Sequence, residues 1–95
     1  DMRFTALRMM LRLERFHPRI IGSVFTGHVR RGSDIDLHVF SDSVQAVAAS
    51  LDADMIPYDI ERKQVRKSGE HHTYIHIHVK EKYPVELTVY PHNLR

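Results

Sequence analysis

The feature that most constrains the fold is a strict alternation of polar and apolar side chains near the end of the chain. From His72 to Lys80 the residues Tyr74, His76 and His78 alternate with Ile75, Ile77 and Val79, and a second strand-like run extends from Val85 to Tyr90. Successive side chains of a β-strand point to opposite faces, so this period predicts two strands, each with one buried face. The short connection from Glu81 to Tyr83 predicts that the two strands pair with each other.

The alternation also selects one register for this pair. Four cross-strand pairs result: His78 with Glu86, His76 with Thr88, Ile77 with Leu87, and Ile75 with Val89. The last two pairs form a continuous apolar layer, and the first two lie on the opposite, polar face. A slip of one residue would set histidine against leucine, which is why the pattern predicts this register and not its neighbours.

A second alternating run, from Asp34 to Phe40, carries two carboxylates on one face. Asp34 and Asp36 are two residues apart, so in a strand they lie about 7 Å apart along the backbone. The apolar residues between and after them point towards a core: Ile35, Leu37 and Val39. Because divalent cations prefer hard oxygen ligands, two neighbouring carboxylates on an open face predict a metal site.

Gly22 and Ser23 precede Asp34 by a ten-residue spacer. Together with the Asp-Ile-Asp-Leu run that begins at Asp34, this spacing resembles the signature of the polymerase-beta-like nucleotidyltransferase superfamily. The resemblance covers roughly residues 18 to 90. It implies a third carboxylate on a neighbouring strand, where Glu86 stands between apolar residues; the alternative for Glu86 is an exposed strand carboxylate without a catalytic role.

The resemblance implies an α+β fold: a nucleotidyltransferase-like mixed β-sheet with helices packed on one face and an open, carboxylate-lined face. It also implies an activity, the Mg²⁺-dependent transfer of a nucleoside monophosphate from a nucleoside triphosphate, expected to be ATP, to a hydroxyl acceptor with release of pyrophosphate. Asp34, Asp36 and Glu86 are then the expected catalytic residues and the ligands of two Mg²⁺ ions.

Gly22 and Ser23 are expected to begin a short helix whose free backbone N–H groups hold phosphate oxygens. The alternative is that Ser23 only caps this helix. Arg30, Arg31 and Ser33 lie in the following segment, which is expected to be a loop beside the triphosphate. Relatives often carry a cation two or three residues after the Gly-Ser pair; this chain does not, and Arg30 or Arg31 would have to replace it.

In superfamily enzymes, helices that follow the core usually bind the nucleobase and the acceptor, and nothing follows Arg95 in this sequence. A helical partner domain or subunit is therefore expected. This leaves a second function open, a non-catalytic or weakly catalytic regulatory or antitoxin module that acts with such a partner.

Ninety-five residues with 42% hydrophobic and 27% charged residues predict a single globular domain over residues 1–95, with the question open whether it is a fragment or one domain of a longer protein. The net charge of +2 suits a polyphosphate ligand without requiring nucleic acid. No apolar run is long enough for a membrane span, and there is no cysteine. A soluble, cytoplasmic protein is expected.

The N-terminal segment from Thr5 to His17 predicts a helix that Pro18 ends. Its expected core face consists of three residues at helical spacing: Leu7, Met10 and Leu11. Four arginines recur along a second face: Arg8, Arg12, Arg15 and Arg19. They are interpreted either as a solvated helix face or as a surface that binds RNA phosphates.

The remaining segments complete the predicted domain. Arg19 to Ile21 is the expected first strand, and Ser41, Asp42 and Ser43 are expected to supply capping side chains for a second helix. Tyr58 to Arg66 is expected to be a polar strand near an edge, followed by a turn at Lys67 to Glu70. The second helix has a regular apolar face: Val44, Val47, Ala48 and Leu51. Three histidines share the polar sheet face, with metal binding, substrate contact and simple solvation all left open: His38, His76 and His78.

Overall fold

The computed structural model describes residues 1–21 and 35–95. In chain order the helices and strands are α1 (Met2–Arg12), β1 (Arg19–Ile21), β2 (Ile35–Phe40), α2 (Val44–Ala53), β3 (Tyr58–Lys67), β4 (Glu70–Val79) and β5 (Val85–Tyr90). Short 3-10 turns follow at Glu14–Phe16 and His92–Leu94. The predicted helix near residues 23–29 and the loop at 28–33 lie outside the described residues.

The strands form one mixed sheet in the order β1-β2-β5-β4-β3. The pair β2–β5 is parallel, and the other three pairs are antiparallel. All four predicted pairs between β4 and β5 are present, so the register inferred from the alternation is confirmed. Strand β3 lies at one edge of the sheet, as its polar sequence predicts.

Both α-helices pack on the apolar face of this sheet. Buried side chains of α1 and α2 join those of the central strands in a single core, which includes Met9, Val47, Leu37, Ile77 and Leu87. The apolar residues of β2 that were expected to point inwards are fully buried. The chain is therefore an α+β domain with two layers, as predicted.

The first helix corrects the sequence-based prediction in both position and orientation. It begins at Met2, because the Asp1 carboxylate accepts hydrogen bonds from the amides of Arg3 and Phe4, and the α-helix ends at Arg12. The remaining residues up to Phe16 continue as a 3-10 turn, which His17 ends in a left-handed conformation.

The predicted core face of α1 is correct for one of its three residues. Met10 packs against the core, but Leu7 and Leu11 are exposed. Four residues spaced by four, three and four positions face the core: Met2, Ala6, Met9 and Leu13. The helix carries two apolar stripes on opposite sides, and the large leucines of the outer stripe dominated the sequence pattern. Neither α-helix in the described part of the chain is long and apolar enough to cross a membrane.

Candidate active site on the open sheet face

The sheet face opposite the helices is rich in carboxylates and imidazoles. Strand β2 contributes Asp36 and His38, because Ile35, Leu37 and Val39 take the alternate, buried positions. Strand β5 contributes Glu86 and Thr88, and β4 contributes His76 and His78 at partly buried positions. The predicted open face is thus present for the residues that the structure describes.

Asp36 and Glu86 are direct cross-strand partners in the parallel pair β2–β5. Neighbouring strands lie about 5 Å apart, so the two carboxylates leave the sheet side by side. Asp36 is exposed and Glu86 is partly buried. Two of the three predicted acidic residues are therefore brought together, while Asp34 lies outside the described residues.

The Glu86 carboxylate is held by a histidine that is diagonal to it. His76 Nδ1 lies 2.9 Å from Glu86 Oε1 and 3.1 Å from Thr88 Oγ1. The contact with Thr88 is a hydrogen bond, and the contact with Glu86 is an electrostatic one. The register predicted from sequence places His78 directly opposite Glu86. It did not predict that the side chain of His76, which is diagonal to Glu86, makes the close contact with that carboxylate.

The second histidine of β4 turns towards the sheet edge. His78 Nε2 lies 3.4 Å from Glu61 Oε1, a carboxylate of β3. Both side chains are more than a third exposed, so this contact contributes little to stability. His76 and His78 thus share a face but contact different carboxylates.

The third histidine of the face, His38, lies two residues after Asp36 on β2, at the next position on the same face. Burial lowers the pKa of His38 below its usual value; Asp36 opposes this shift and Arg19 adds to it. Burial therefore favours the neutral imidazole. Its ring makes an edge-on contact with Tyr90, with ring centroids 4.8 Å apart.

The oxygen ligands on this face match the chemistry of Mg²⁺, which prefers carboxylates to imidazoles. Within residues 1–21 and 35–95, no group of three or more histidine, aspartate or glutamate side chains is arranged to hold a metal ion. The described part of the face supplies two carboxylates, and the third predicted ligand is Asp34. The predicted phosphate-binding residues also lie outside the described residues: Gly22, Ser23, Arg30, Arg31 and Ser33.

Comparisons with known proteins identify the fold. No protein-family model matches the chain, and no curated protein sequence is similar to it. A solved structure of a cytoplasmic RNA terminal U-transferase is similar, with a TM-score of 0.56 and 20% sequence identity over 92% of this chain. The chain spans 27% of the length of that protein. The likeness shows that this chain has a nucleotidyltransferase-like fold, as predicted.

Proposed function

We propose that this chain is the core of a metal-dependent nucleotidyltransferase that moves a nucleoside monophosphate from a nucleoside triphosphate, with ATP as the first candidate, to a hydroxyl acceptor. The observation that carries the proposal is the parallel pairing of Asp36 with Glu86 on the open face of a nucleotidyltransferase-like sheet. That pairing gives two adjacent carboxylates on rigid central strands, which a structural role for the fold does not require.

Asp34, Asp36 and Glu86 would hold two Mg²⁺ ions, which on binding activate the acceptor hydroxyl and neutralise phosphate charge. His76 lies beside the Glu86 carboxylate, with its Nδ1 2.9 Å from Oε1, and limits where that carboxylate can point. In the transfer, the acceptor oxygen bonds to the α-phosphorus, the bond from that phosphorus to the bridging oxygen breaks, and pyrophosphate leaves. The hydroxyl proton passes to Glu86 or to solvent.

The test is pyrophosphate release by the purified chain with Mg²⁺, each of the four ribonucleoside triphosphates, and a panel of RNA and protein acceptors. Asp36→Asn and Glu86→Gln should each lower turnover by about 100-fold or more. Glu61→Gln is the matched control, because Glu61 lies on the same face at the sheet edge, and its activity should remain within about twofold of the wild type.

A second readout tests metal binding independently of turnover. Amide NMR signals of β2 and β5 should shift on addition of Mg²⁺ in the wild type and not in Asp36→Asn. A wild-type chain that neither releases pyrophosphate nor shows these Mg²⁺-dependent shifts would contradict the proposed function.

A second candidate function, a regulatory module that acts with a helical partner, is favoured by the outer face of α1. Phe4, Leu7 and Leu11 are 68%, 51% and 71% exposed and are spaced by three and four residues, so they form one stripe. Arg3 and Arg8 flank this stripe, and α1 contains no acidic residue. The complementary partner is an amphipathic helix with acidic flanks; a second copy of this chain would bring like charges together.

The partner-helix candidate can be tested with a synthetic amphipathic Leu/Glu peptide and its Leu/Lys counterpart. Calorimetry should show binding of the acidic peptide only, and the variant with Leu7→Ser and Leu11→Ser should lose it. Equal binding of both peptides, or binding of anionic lipid vesicles in preference to the acidic peptide, would contradict this candidate. Binding that is unaffected by Mg²⁺ and triphosphate would favour the regulatory module over the enzyme.

A further inference from the structure

A shallow pocket of about 310 Å³ lies on the same sheet face as Asp36, at the side of the sheet where β1 forms the edge. Its lining comes from β1, β2, β5 and the C-terminal 3-10 turn: Arg19, His38, Phe40, Tyr90 and Leu94. The volume is at the lower end of the range for small-molecule sites, which suits one ring system and not an extended ligand. None of these residues belongs to the predicted carboxylate site.

Three of the five lining residues are rings that contact one another. Phe40 and Tyr90 stack with centroids 5.9 Å apart, and His38 meets Tyr90 edge-on at 4.8 Å. Phe40 is 5% exposed and so forms the floor, while His38 and Tyr90 are partly exposed at its side. Such a surface offers apolar contact and ring stacking to a flat ligand.

The pocket also has a cation at its edge. The Arg19 guanidinium carbon lies 5.3 Å from the centre of the Phe40 ring. Arg19 is exposed on the edge strand β1, and its guanidinium lies over the Phe40 ring. An arginine in this position can stack on a flat ligand and can also bind a phosphate with two hydrogen bonds.

We propose that this pocket binds a nucleotide, with its base against the rings and its phosphate beside Arg19. Aromatic surfaces bordered by arginine bind nucleobases with little dependence on sequence. The ligand is either a free nucleotide or the terminal nucleotide of a single strand, since both present the same base and phosphate.

The position of the pocket indicates which substrate it serves in the proposed transfer reaction, on which this part of the inference rests. His38 follows Asp36 on the same face at a distance of about 7 Å along β2. A nucleotide seated on the rings would therefore extend its sugar towards the carboxylates. The triphosphate is expected at Gly22 and Ser23, so the ring pocket is assigned to the acceptor nucleotide.

The test measures binding without metal or triphosphate, so that no turnover is needed. Fluorescence anisotropy compares a labelled single strand of about six nucleotides with a strand that lacks only its terminal base. The wild type should bind the intact strand about fivefold to 100-fold more tightly, the range that one stacked base supplies. Competition with AMP distinguishes the free nucleotide from the strand end as the ligand.

Two variants and one control locate the binding site. Arg19→Gln and Tyr90→Leu should each weaken binding of the intact strand by about fivefold or more. Arg66→Gln removes the same charge from β3, at the opposite edge of the sheet, and should change binding by less than about twofold. Circular dichroism verifies the fold of Tyr90→Leu, and Arg19→Gln on the edge strand provides the test if that variant unfolds.

Failure of the pocket and failure of the proposed enzyme give different results. Equal binding of intact and abasic strands, or an equal effect of Arg66→Gln and Arg19→Gln, would overturn the nucleotide site even if transfer occurs. Base-dependent binding that requires Arg19 and Tyr90 would retain the site even if no triphosphate is used. Asp36→Asn should remove transfer and leave this binding unchanged.

Discussion

At the scale of single residues, the contact between His76 and Glu86 affects both the stability of the fold and the candidate active site. The His76 side chain is only 18% exposed, and its Nδ1 contacts both Glu86 and Thr88. Partly buried polar contacts contribute more than exposed ones, because water competes less well for the partners. The same contact fixes where the Glu86 carboxylate can point.

Replacing His76 by alanine should therefore lower the free energy of unfolding by about 1–2 kcal/mol. Urea denaturation measures this change. His72→Ala is the matched control, since His72 is on the same strand and its Nε2 lies 3.8 Å from Glu70 in a largely exposed pair; it should change stability by less than about 0.5 kcal/mol. An equal decrease in the free energy of unfolding in both variants would show that the short contact between His76 and Glu86 does not stabilise the fold more than an exposed contact does.

A second residue-scale prediction concerns the pH dependence of Tyr58. A hydrogen bond with Asp52 and burial raise the pKa of the Tyr58 phenol above its usual value. Because the folded pKa is above the unfolded one, the stabilisation is complete below about pH 10 and is lost as the pH rises through the folded pKa.

The Asp52→Asn variant should lower the pKa of Tyr58 towards 10, which NMR of the tyrosine ring signals can follow. Asp59→Asn removes a nearby carboxylate that pairs with Lys80 instead, and it should leave the Tyr58 titration unchanged. A Tyr58 titration that moves equally in both variants would argue for a general effect of charge and against the Asp52 hydrogen bond.

At the scale of elements, arginines attach α1 and the turn after it to α2. The Arg12 guanidinium pairs with Asp54 at 2.6 Å, and Arg15 donates hydrogen bonds to the Ala46 carbonyl and the Ser50 hydroxyl. Arg15 also lies over the ring of Phe16, at 4.7 Å from its centroid. Arg12 and Arg15 of the predicted arginine stripe thus contact other parts of the chain. Fewer arginines of this stripe therefore remain available to bind RNA phosphates.

Arg15→Ala should consequently lower the free energy of unfolding by about 1 kcal/mol, through lost packing as well as lost hydrogen bonds. Arg8→Ala, at an exposed position of α1, should change it by less than about 0.5 kcal/mol. Chemical denaturation of the two variants side by side gives the difference. A larger loss for Arg8→Ala would indicate that the stripe, and not the contact with α2, stabilises the helix.

The β3–β4 hairpin depends on a turn with two left-handed residues, Ser68 with φ 53° and Gly69 with φ 78°. Gly69→Ala should destabilise the fold by about 1 kcal/mol, since a Cβ there meets nothing within 4 Å and only the backbone is strained. Ser68→Gly should instead be neutral or stabilising. Thermal unfolding of both variants provides the measurement, and a loss of stability in Ser68→Gly would point to a role of the Ser68 side chain.

Strong local patterns made several elements predictable. The alternation in β4 and β5 fixed their register because only one pairing keeps both faces consistent. Capping side chains were predicted from Ser41 to Ser43, and Ser43 accepts a hydrogen bond from the Ala46 amide. The orientation of α1 was wrong because a helix with two apolar stripes does not reveal which one meets the sheet. In the folded chain the stripe that contains Met9 and Leu13 packs against the sheet.

Some features of the candidate site could be predicted from the sequence and others could not. Adjacency of Asp36 and Glu86 followed from the family resemblance and the alternation, and the parallel β2–β5 pair has it. The contact of His76 with Glu86 depends on side-chain reach across a diagonal, which a register does not specify. The ring pocket could have been found from sequence, since period two places Phe40 on the face of Asp36 and Tyr90 on the face of Glu86.

At the scale of the whole molecule, the two sheet faces serve different purposes. One face is covered by α1 and α2 and contains the fully buried side chains, including Leu37, Ile77 and Leu87 on the three central strands. The other face carries the charged and aromatic residues of both candidate sites. Substitutions on the open face can therefore change binding while the covered face maintains the fold.

This division predicts opposite outcomes for two chemically identical substitutions. Leu87→Ala on the central strand β5 should lower the free energy of unfolding by about 3 kcal/mol, because a fully buried leucine leaves a cavity that the surrounding core fills only in part. Leu11→Ala on the outer stripe of α1 removes the same atoms at a position that is 71% exposed, and should cost less than about 0.5 kcal/mol. Urea denaturation of both variants decides between the observed orientation of α1 and the one that its sequence predicted, in which Leu11 belongs to the core and its loss would also cost several kcal/mol.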